Sequence, residues 1–598
     1  MQDPSSIDAQ VAAAANMAQG GRLDLAAPAL DAALRLQPDH AEGNRLMALI
    51  MMHSGNPQRA MAHIDRAIAA APQRPDLHAT RGSLLVSLNQ VHPAIASLEH
   101  ALTLDPRSAP VHGLLATLFL QLKNYDAAED HYREALAANP RFAEARTNLG
   151  SVLGMTARQD EALSLFREGV RLHPDHPGLL TNYCVALNYA DGIDPAEIRA
   201  AHHRYGQVLA ALPGQPQANW PNARDPERRL RIGFLSPDFF EHSVAYFTRP
   251  IVEGLDRARF HVSLYSTGGR PDTMTARLQR AADAWKDLSR ANDQQLVDAI
   301  RADQIDILVE LSGQTFGNRL AALRLRAAPV QVTYCGYPNT TGLRTIDYRI
   351  VDSITDPIGG PGAEAMAVER LLRLDPCFLC YSPPEERSFH DAWTSTQAPA
   401  ARDFITFGSF NSIKKVTPGL LRLWAKILHE VPRARLVLKS QGLETPRART
   451  PILDVLKREG IPEVRVDLWP KIDDKGAHLD AYNAIDIALD TFPYNGTTTT
   501  CEALFMGVPV VTLAGQVHAA RVGASLLSAL GTPELIADDP DRYVQLAAAL
   551  AADPARLARY RDTLRATLLA SPLCDRAAFT GRFGEALRSM WRTWCAGS

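Results

Sequence analysis

Cysteine is scarce in this 598-residue chain, which has 7, odd in number and scattered. That excludes a disulfide-stapled scaffold and suits free thiols in a reducing compartment. Cys377 and Cys380 form one CxxC, but no second pair or histidine cluster completes a zinc site, so both read as buried thiols. Charge of one sign is also lacking. Lys plus Arg is 63 against 66 for Asp plus Glu, a net −3, which gives no electrostatic reason to expect nucleic acid or an anionic membrane as partner. No basic-then-apolar leader opens the sequence. The most apolar stretch, 503–520, is interrupted by Gly507, Pro509, Thr512, Gly515 and Gln516, and reads as a turn and a buried strand, not a membrane span. HExxH and Walker A loops are missing. The one Asp-x-Asp, Asp539-Pro540-Asp541, sits at an expected helix start, where capping explains it. Metal chemistry therefore lacks its ligands. What remains is globular: 46% hydrophobic and 22% charged residues predict a soluble, cytoplasmic chain with full cores. At about 150 residues per domain, there is room for about four domains' worth of chain.

The first third repeats. Pro38, Pro72, Pro106, Pro140 and Pro174 recur every 34 residues. In the same phase stand the small residues Ala26, Ala60, Ala94, Ala128 and Ala162, and the large residues Leu30, Ile64, Leu98, Tyr132 and Phe166. Small residues let two antiparallel helices approach, the large one fills the space between them, and the proline stops the second helix. This resembles the tetratricopeptide repeat. A weaker sixth unit begins near Pro177, with Asn182 in the phase of Asn148. The expected product is a curved solenoid that holds protein segments, those two asparagines being candidates to bond an extended peptide. A spacer or a dimerisation arm, giving a homodimer, is the alternative.

A proline-rich, aperiodic stretch, 213–226, reads as a boundary. Beyond it, β-rich runs alternate with helical stretches in two blocks. The first holds 230–236, 261–267, 305–311, 330–334 and 348–351; the second holds 404–410, 435–439, 464–469, 485–489 and 508–513. Helices at 293–302 and 418–430 are among those between them. The alternation predicts two open, mostly parallel sheets, with ligands bound beyond the strands' carboxyl ends in a cleft between two domains.

Several strings at such strand ends carry chemistry. In 489–509, Asn495-Gly496 makes a turn and Thr497, Thr498, Thr499 and Thr500 lead into a helix. A helix start offers unpaired N–H groups and partial positive charge to a phosphate, and threonines add hydroxyl donors. The alternative is a capping box, with Thr499 as N-cap and Glu502 reaching back to it. In 404–415, Lys415 follows a strand and can stabilise a departing diphosphate, or lie solvated on the surface. In 231–243, His242 is a candidate general base, or a structural histidine. The loops Gly313-Gln314-Thr315 and Gly336-Tyr337-Pro338 either line the cleft or are plain βα turns. Asp474, Lys475 and His478 read equally as a solvated polar loop.

Repeats followed by Ser236-Pro-Asp-Phe-Phe-Glu-His242, Gly336-Tyr-Pro338 and a threonine run ending in Cys501-Glu502 resemble the O-GlcNAc transferase and SPINDLY family of protein O-glycosyltransferases, over nearly the whole chain. The resemblance implies an α + α/β protein: a tetratricopeptide α-solenoid, then a two-lobed, Rossmann-like GT-B glycosyltransferase, inverting and metal-independent, with no cofactor. Its implied divisions are a solenoid over 1–212 (five repeats in 7–174 and a degenerate sixth), a linker over 213–228, an acceptor-side lobe over 229–395, a nucleotide-sugar lobe over 396–575, and a helix over 576–598 packing back on the lobes. By position, it makes His242 the active-site histidine and Lys415 the lysine on the donor diphosphate. Asp474, Lys475 and His478 fall in the base-binding segment. Thr497, Thr498 and Thr499 match the phosphate-binding helix start behind Asn495 and Gly496, and Glu502 matches the residue on the ribose. Gln314, Tyr337 and Pro338 are the expected cleft-lining residues on the acceptor side.

Ser412, Thr497 and Glu502 replace the glutamine, histidine and aspartate of the animal O-GlcNAc transferases. The runs 237–244 and 492–502 look closer to the SPINDLY branch, some of whose members use GDP-fucose. The expected donor is UDP-GlcNAc and the expected acceptors are proteins, with GDP-fucose as the variant. A nucleotide-binding scaffold and a sugar-nucleotide epimerase are the readings from other classes, the latter having no need of the repeats.

Overall fold

The computed structural model describes residues 4–359, 363–384 and 403–597. The expected lobe boundary at 395/396 lies outside the described residues. By internal packing the chain forms two compact units, Met1–Val152 and Leu153–Ser598.

The first unit consists of antiparallel helix pairs. The second helices of its pairs, Leu23–Leu36, Pro57–Ala70, Val91–Leu104 and Tyr125–Ala138, each end two residues before a periodic proline, which cannot continue a helix. Ala26, Ala60, Ala94 and Ala128 are fully buried, as are Leu30, Ile64, Leu98 and Tyr132. At Gly82 an added Cβ would stand 2.6 Å from the Leu98 side chain, so the small residue is what lets the helices touch. One periodic position went unread in the sequence. Six residues after each proline stand Asn44, His78, His112 and Arg146, whose side chains donate to the carbonyls of Pro38, Pro72, Pro106 and Pro140 at 2.8, 2.8, 3.1 and 2.7 Å. Each bond satisfies a turn carbonyl and pins the next helix to the turn before it.

The second unit holds two parallel sheets. The first contains β1 (Leu230–Ser236), β2 (Phe260–Ser266), β3 (Ala284–Asp287), β4 (Ile307–Glu310), β5 (Val330–Thr333), β6 (Tyr348–Val351) and β7 (Arg370–Arg373), in the order β3-β2-β1-β4-β5-β6-β7. The second contains β8 (Thr406–Ser409), β9 (Arg435–Lys439), β10 (Val466–Trp469), β11 (Ile487–Leu489), β12 (Val510–Leu513) and β13 (Ile536–Ala537), in the order β10-β9-β8-β11-β12-β13. The strand order reverses at β1/β4 and at β8/β11, the positions where open sheets bind ligands. The loops leaving β1, β4, β8 and β11 are the strings that carry His242, Gln314, Lys415 and the threonine run.

Packing puts the unit boundary at 152/153, upstream of the expected 212. The reason is apolar. Leu163, Leu180, Cys184, Ile198 and Tyr205 of the helices Gln159–Leu172, Pro177–Leu187 and Pro195–Ala210 share a core with Leu296, Ile300, Leu308 and Leu320 beside the first sheet. Of the two asparagines proposed for a peptide, Asn182 donates its amide to Gly178 O of its own helix at 2.9 Å. The helix Arg576–Cys595 returns to the first lobe. There Arg588 donates to Pro226 O and Arg228 O at 2.7 and 2.8 Å, and Trp591 to Asp225 O at 2.9 Å. No helix of the described residues is long and apolar enough to cross a membrane.

One contact fixes the helix Pro195–Ala210 to the loop after β5 backbone to backbone. A Cβ on Gly206 would fall 1.7 Å from Gly342 O, and one on Gly342, at φ +78°, 2.1 Å from His202 O. Gly206→Ala is therefore expected to destabilise the second unit by about 1–3 kcal/mol, read as a lowered unfolding midpoint in denaturant. An unchanged midpoint would show that this seam gives way freely.

Candidate functional site

A polar cavity of 740 Å³ opens between the two lobes. From the first lobe it takes Glu241, His242 and Tyr246; from the second, Lys471, Lys475, His478, Thr498, Thr499 and Glu502. His242 follows β1 and caps the helix Ser243–Gly254, accepting from Val244 N at 3.4 Å, with Asp238 at 3.7 Å. Its side chain is 41% exposed. Burial raises the Asp238 carboxyl above its ordinary range, and His242 opposes that.

The threonine helix begins two residues earlier than the expected capping box requires. It runs Thr498–Phe505, with Thr497 at the N-cap and no side-chain cap bond. Thr499 donates to Asn411 Oδ1 at 2.7 Å, and Glu502 turns away from the helix start. The capping-box reading is thereby corrected. The Thr498 hydroxyl oxygen is buried and without a partner among the described residues, at a helix tip that no side chain caps. An orphaned hydroxyl beside unpaired N–H groups is the arrangement that receives a phosphate.

Glu502 is 3% exposed and organises the cavity wall. Its Oε1 takes Lys475 Nζ at 2.5 Å and its Oε2 takes His478 Nε2 at 2.9 Å. Burial alone would raise its pKa. The His478 bond and the Lys475 charge overcome that and hold it near 2. Behind His478, Lys439 Nζ lies 2.6 Å from Nδ1 and 4.2 Å from the Phe410 ring centre. That bond places the imidazole lone pair on Nδ1 and its proton on Nε2, facing Glu502. Burial lowers the Lys439 pKa to about 8, partly offset by Glu502. The sequence reading missed Lys439. The available signal was a lysine closing a strand with an apolar centre, Arg435–Lys439.

Lys415 is not among the residues lining this cavity and reaches the turn before the threonine helix. Its Nζ donates to Asn495 O at 2.7 Å and lies 4.0 Å from the Tyr494 ring centre. Burial lowers its pKa to about 8, opposed by Asp490, whose own pKa burial raises to about 6. Asn495 is a turn clamp: it donates to Thr491 O at 2.8 Å and accepts from Gly523 N at 3.2 Å. Gly496 N is held by Asp490 Oδ1 at 2.6 Å. These two residues shape the turn, while Thr498 and Thr499 face the cavity.

The remaining expected site residues lie elsewhere. Asp474 caps the helix Lys475–Asp480 through Ala477 N at 2.8 Å. Ser412 is exposed, outside the cavity lining. Gln314 is buried beside the Cys184 thiol. The Tyr337 hydroxyl is bonded to Asn188 and His202 at 2.9 and 2.8 Å, because the loop after β5 packs its aromatic ring under the last repeat helices. Pro338 lines a separate crevice. None of these three enters the polar cavity. Among the described residues no group of three or more His, Cys, Asp or Glu could hold a metal ion.

The model of glycosyl transferase family 41 matches residues 199–371 and 392–583. A tetratricopeptide-repeat model matches 16–75, 80–141 and 114–177. A Petunia hybrida protein, named as a probable UDP-N-acetylglucosamine–peptide N-acetylglucosaminyltransferase SPINDLY, is 43% identical over 429 residues, which are 71% of this chain and 45% of that protein. The Caenorhabditis elegans UDP-N-acetylglucosamine–peptide N-acetylglucosaminyltransferase is 25% identical over 483 residues, 62% of this chain and 41% of its own. A solved mutant of the Thermobaculum terrenum O-GlcNAc transferase has a TM-score of 0.79 at 34% identity, covering 88% of this chain and 98% of that one. The chain spans about half the length of the curated relatives it matches. Family match, identity and superposition agree with the two-sheet fold: the chain belongs to glycosyl transferase family 41.

Proposed function

We propose that the protein transfers GlcNAc from UDP-GlcNAc to Ser or Thr hydroxyls of proteins engaged by its repeats, with inversion and without a divalent cation. The observation that carries this reading is the uncapped helix tip, with its orphaned Thr498 hydroxyl, opposite His242 across one cavity. The acceptor oxygen bonds to the sugar's C1 as the bond from C1 to the phosphate oxygen breaks. The bonding pair leaves with the nucleoside diphosphate, and the acceptor proton passes to His242 or, through it, to water. Charge growing on the diphosphate is met by the Lys415 ammonium and the free N–H groups of Thr498 and Thr499, donors fixed in place before the reaction. Lys475 and His478, held by Glu502, form the wall assigned to the nucleoside.

The test is mass spectrometry of Ser/Thr peptides incubated with each donor in the presence of EDTA. An N-acetylhexosamine increment from UDP-GlcNAc is expected. A deoxyhexose increment from GDP-fucose alone would replace the donor and keep the reaction. Loss of transfer in EDTA, restored by magnesium, would overturn the metal-free step. No increment from either donor would leave a nucleotide-binding repeat scaffold.

A further inference from the structure

A second cavity, of 160 Å³, lies between the lobes and shares no residue with the first. At about 30 Å³ per water it has room for a few waters or one small polyatomic ion. Its first wall carries Asn339 from the loop after β5, Arg349 on β6, and Thr355. Its second carries Gln516, His518 and Arg521 from the segment after β12.

The charges on these walls do not balance. Arg349 is 4% exposed, and its Nη2 is buried without a hydrogen-bond partner among the described residues. Asp356 Oδ1 stands 3.8 Å from Nη1, beyond hydrogen-bond reach, while its Oδ2 holds His518 Nδ1 at 2.5 Å. Arg521 gives Nε to Ile354 O at 2.6 Å and Nη1 to Gly515 O at 2.9 Å, both neutral acceptors. Two guanidinium groups therefore face one carboxylate in a half-open crevice. A buried cation is stable only when paired and fully hydrogen-bonded. A guanidinium's parallel N–H groups match the two oxygens of a carboxylate or phosphate.

We propose that this crevice binds one small oxyanion, of the phosphate or carboxylate class, bridging Arg349 of the first lobe to Arg521 of the second. Gln516 and Asn339 supply neutral donors around it. Because its two anchors belong to different lobes, the anion ties the lobes together, and a ligand bound only by the folded state raises stability with its concentration.

The probes are inorganic phosphate and acetate, titrated at constant ionic strength against sodium chloride. Thermal unfolding and calorimetry are followed in the wild type and in a Lys415→Ala, Thr498→Val double variant that disables the helix tip. A saturable rise in unfolding temperature of several degrees, with one site per chain, is expected in both proteins from at least one probe. Which probe acts identifies the class. The effect should vanish when Arg349→Met or Arg521→Met is added to the double variant. If Arg349→Met does not fold, Arg521→Met decides alone, since that side chain is only half-buried. Binding confined to proteins with an intact helix tip, binding that survives both arginine substitutions, or no saturable effect from either probe would each overturn the proposal.

Discussion

Replacing Lys415 with alanine is expected to lower kcat for transfer by about 10²–10³, the loss that follows removal of one preorganised donor to a developing oxyanion. The lysine ends the loop after β8 and reaches the turn before the threonine helix, its Nζ 2.7 Å from Asn495 O. Its ammonium is held where charge is unwelcome. Burial brings its pKa down to about 8, with Asp490 only partly compensating. A lysine with a lowered pKa carries its proton below that value and loses it above. In the wild type kcat/KM, which reports the free enzyme, should therefore fall as pH rises through about 8. In Lys415→Ala this alkaline limb should be absent. Bound diphosphate favours the charged lysine and raises its pKa again, so donor binding near pH 8.5 should take up protons, seen calorimetrically in buffers of different ionisation enthalpy. A full-rate alanine variant, or one that keeps the alkaline limb, would remove Lys415 from the reaction.

What the sequence made legible follows burial and local chemistry. β1, β6 and β9 and the helices Asp293–Ala302 and Pro418–Glu430 match their expected spans, because apolar runs and caps mark both ends. β3 and β7 escaped notice because they are half-exposed, polar edge strands, and β13 because it is two residues long. The threonine run was readable as a helix start. Which of its residues would face the cavity was not, because Asn495 and Gly496 are drawn inward by Gly523 and Asp490, partners remote in sequence or hidden by the turn. The same holds for Glu502. Its local neighbour Thr499 suggested a cap, but a carboxylate with a lysine and a histidine in reach pairs with charge, and those partners lie 27 and 24 residues away. Tyr337 shows the converse. Its loop does follow a strand, as a cleft loop should, but its hydroxyl finds Asn188 and His202 on helices that the repeat pattern had assigned to the solenoid.

Glu502→Gln should separate an organising role for this carboxylate from simple packing. Glutamine keeps the shape but removes the anion, leaving Lys475 and Lys439 without their shared counter-charge and His478 without its anionic acceptor in a buried wall. Breaking a buried pair by removing one partner costs about 3–5 kcal/mol. Independently, a shift from the ordinary 4.5 to about 2 corresponds to about 3 kcal/mol of stability at neutral pH. The sign follows from the depressed pKa: the contribution is present above pH 4.5 and is lost as pH falls towards 2. Unfolding of both proteins in denaturant should thus show a gap of about 3 kcal/mol at pH 7 that narrows steadily below pH 4.5, with donor affinity at pH 7 falling at least tenfold as the cavity wall loosens. Glu502→Asp, one methylene shorter and unable to span Lys475 and His478 together, should fall between the two. A gap of equal size at pH 7 and pH 2.5 would mean that shape, not charge, is what Glu502 contributes. Lys475 and His478 would then need some other anchor to face a nucleotide.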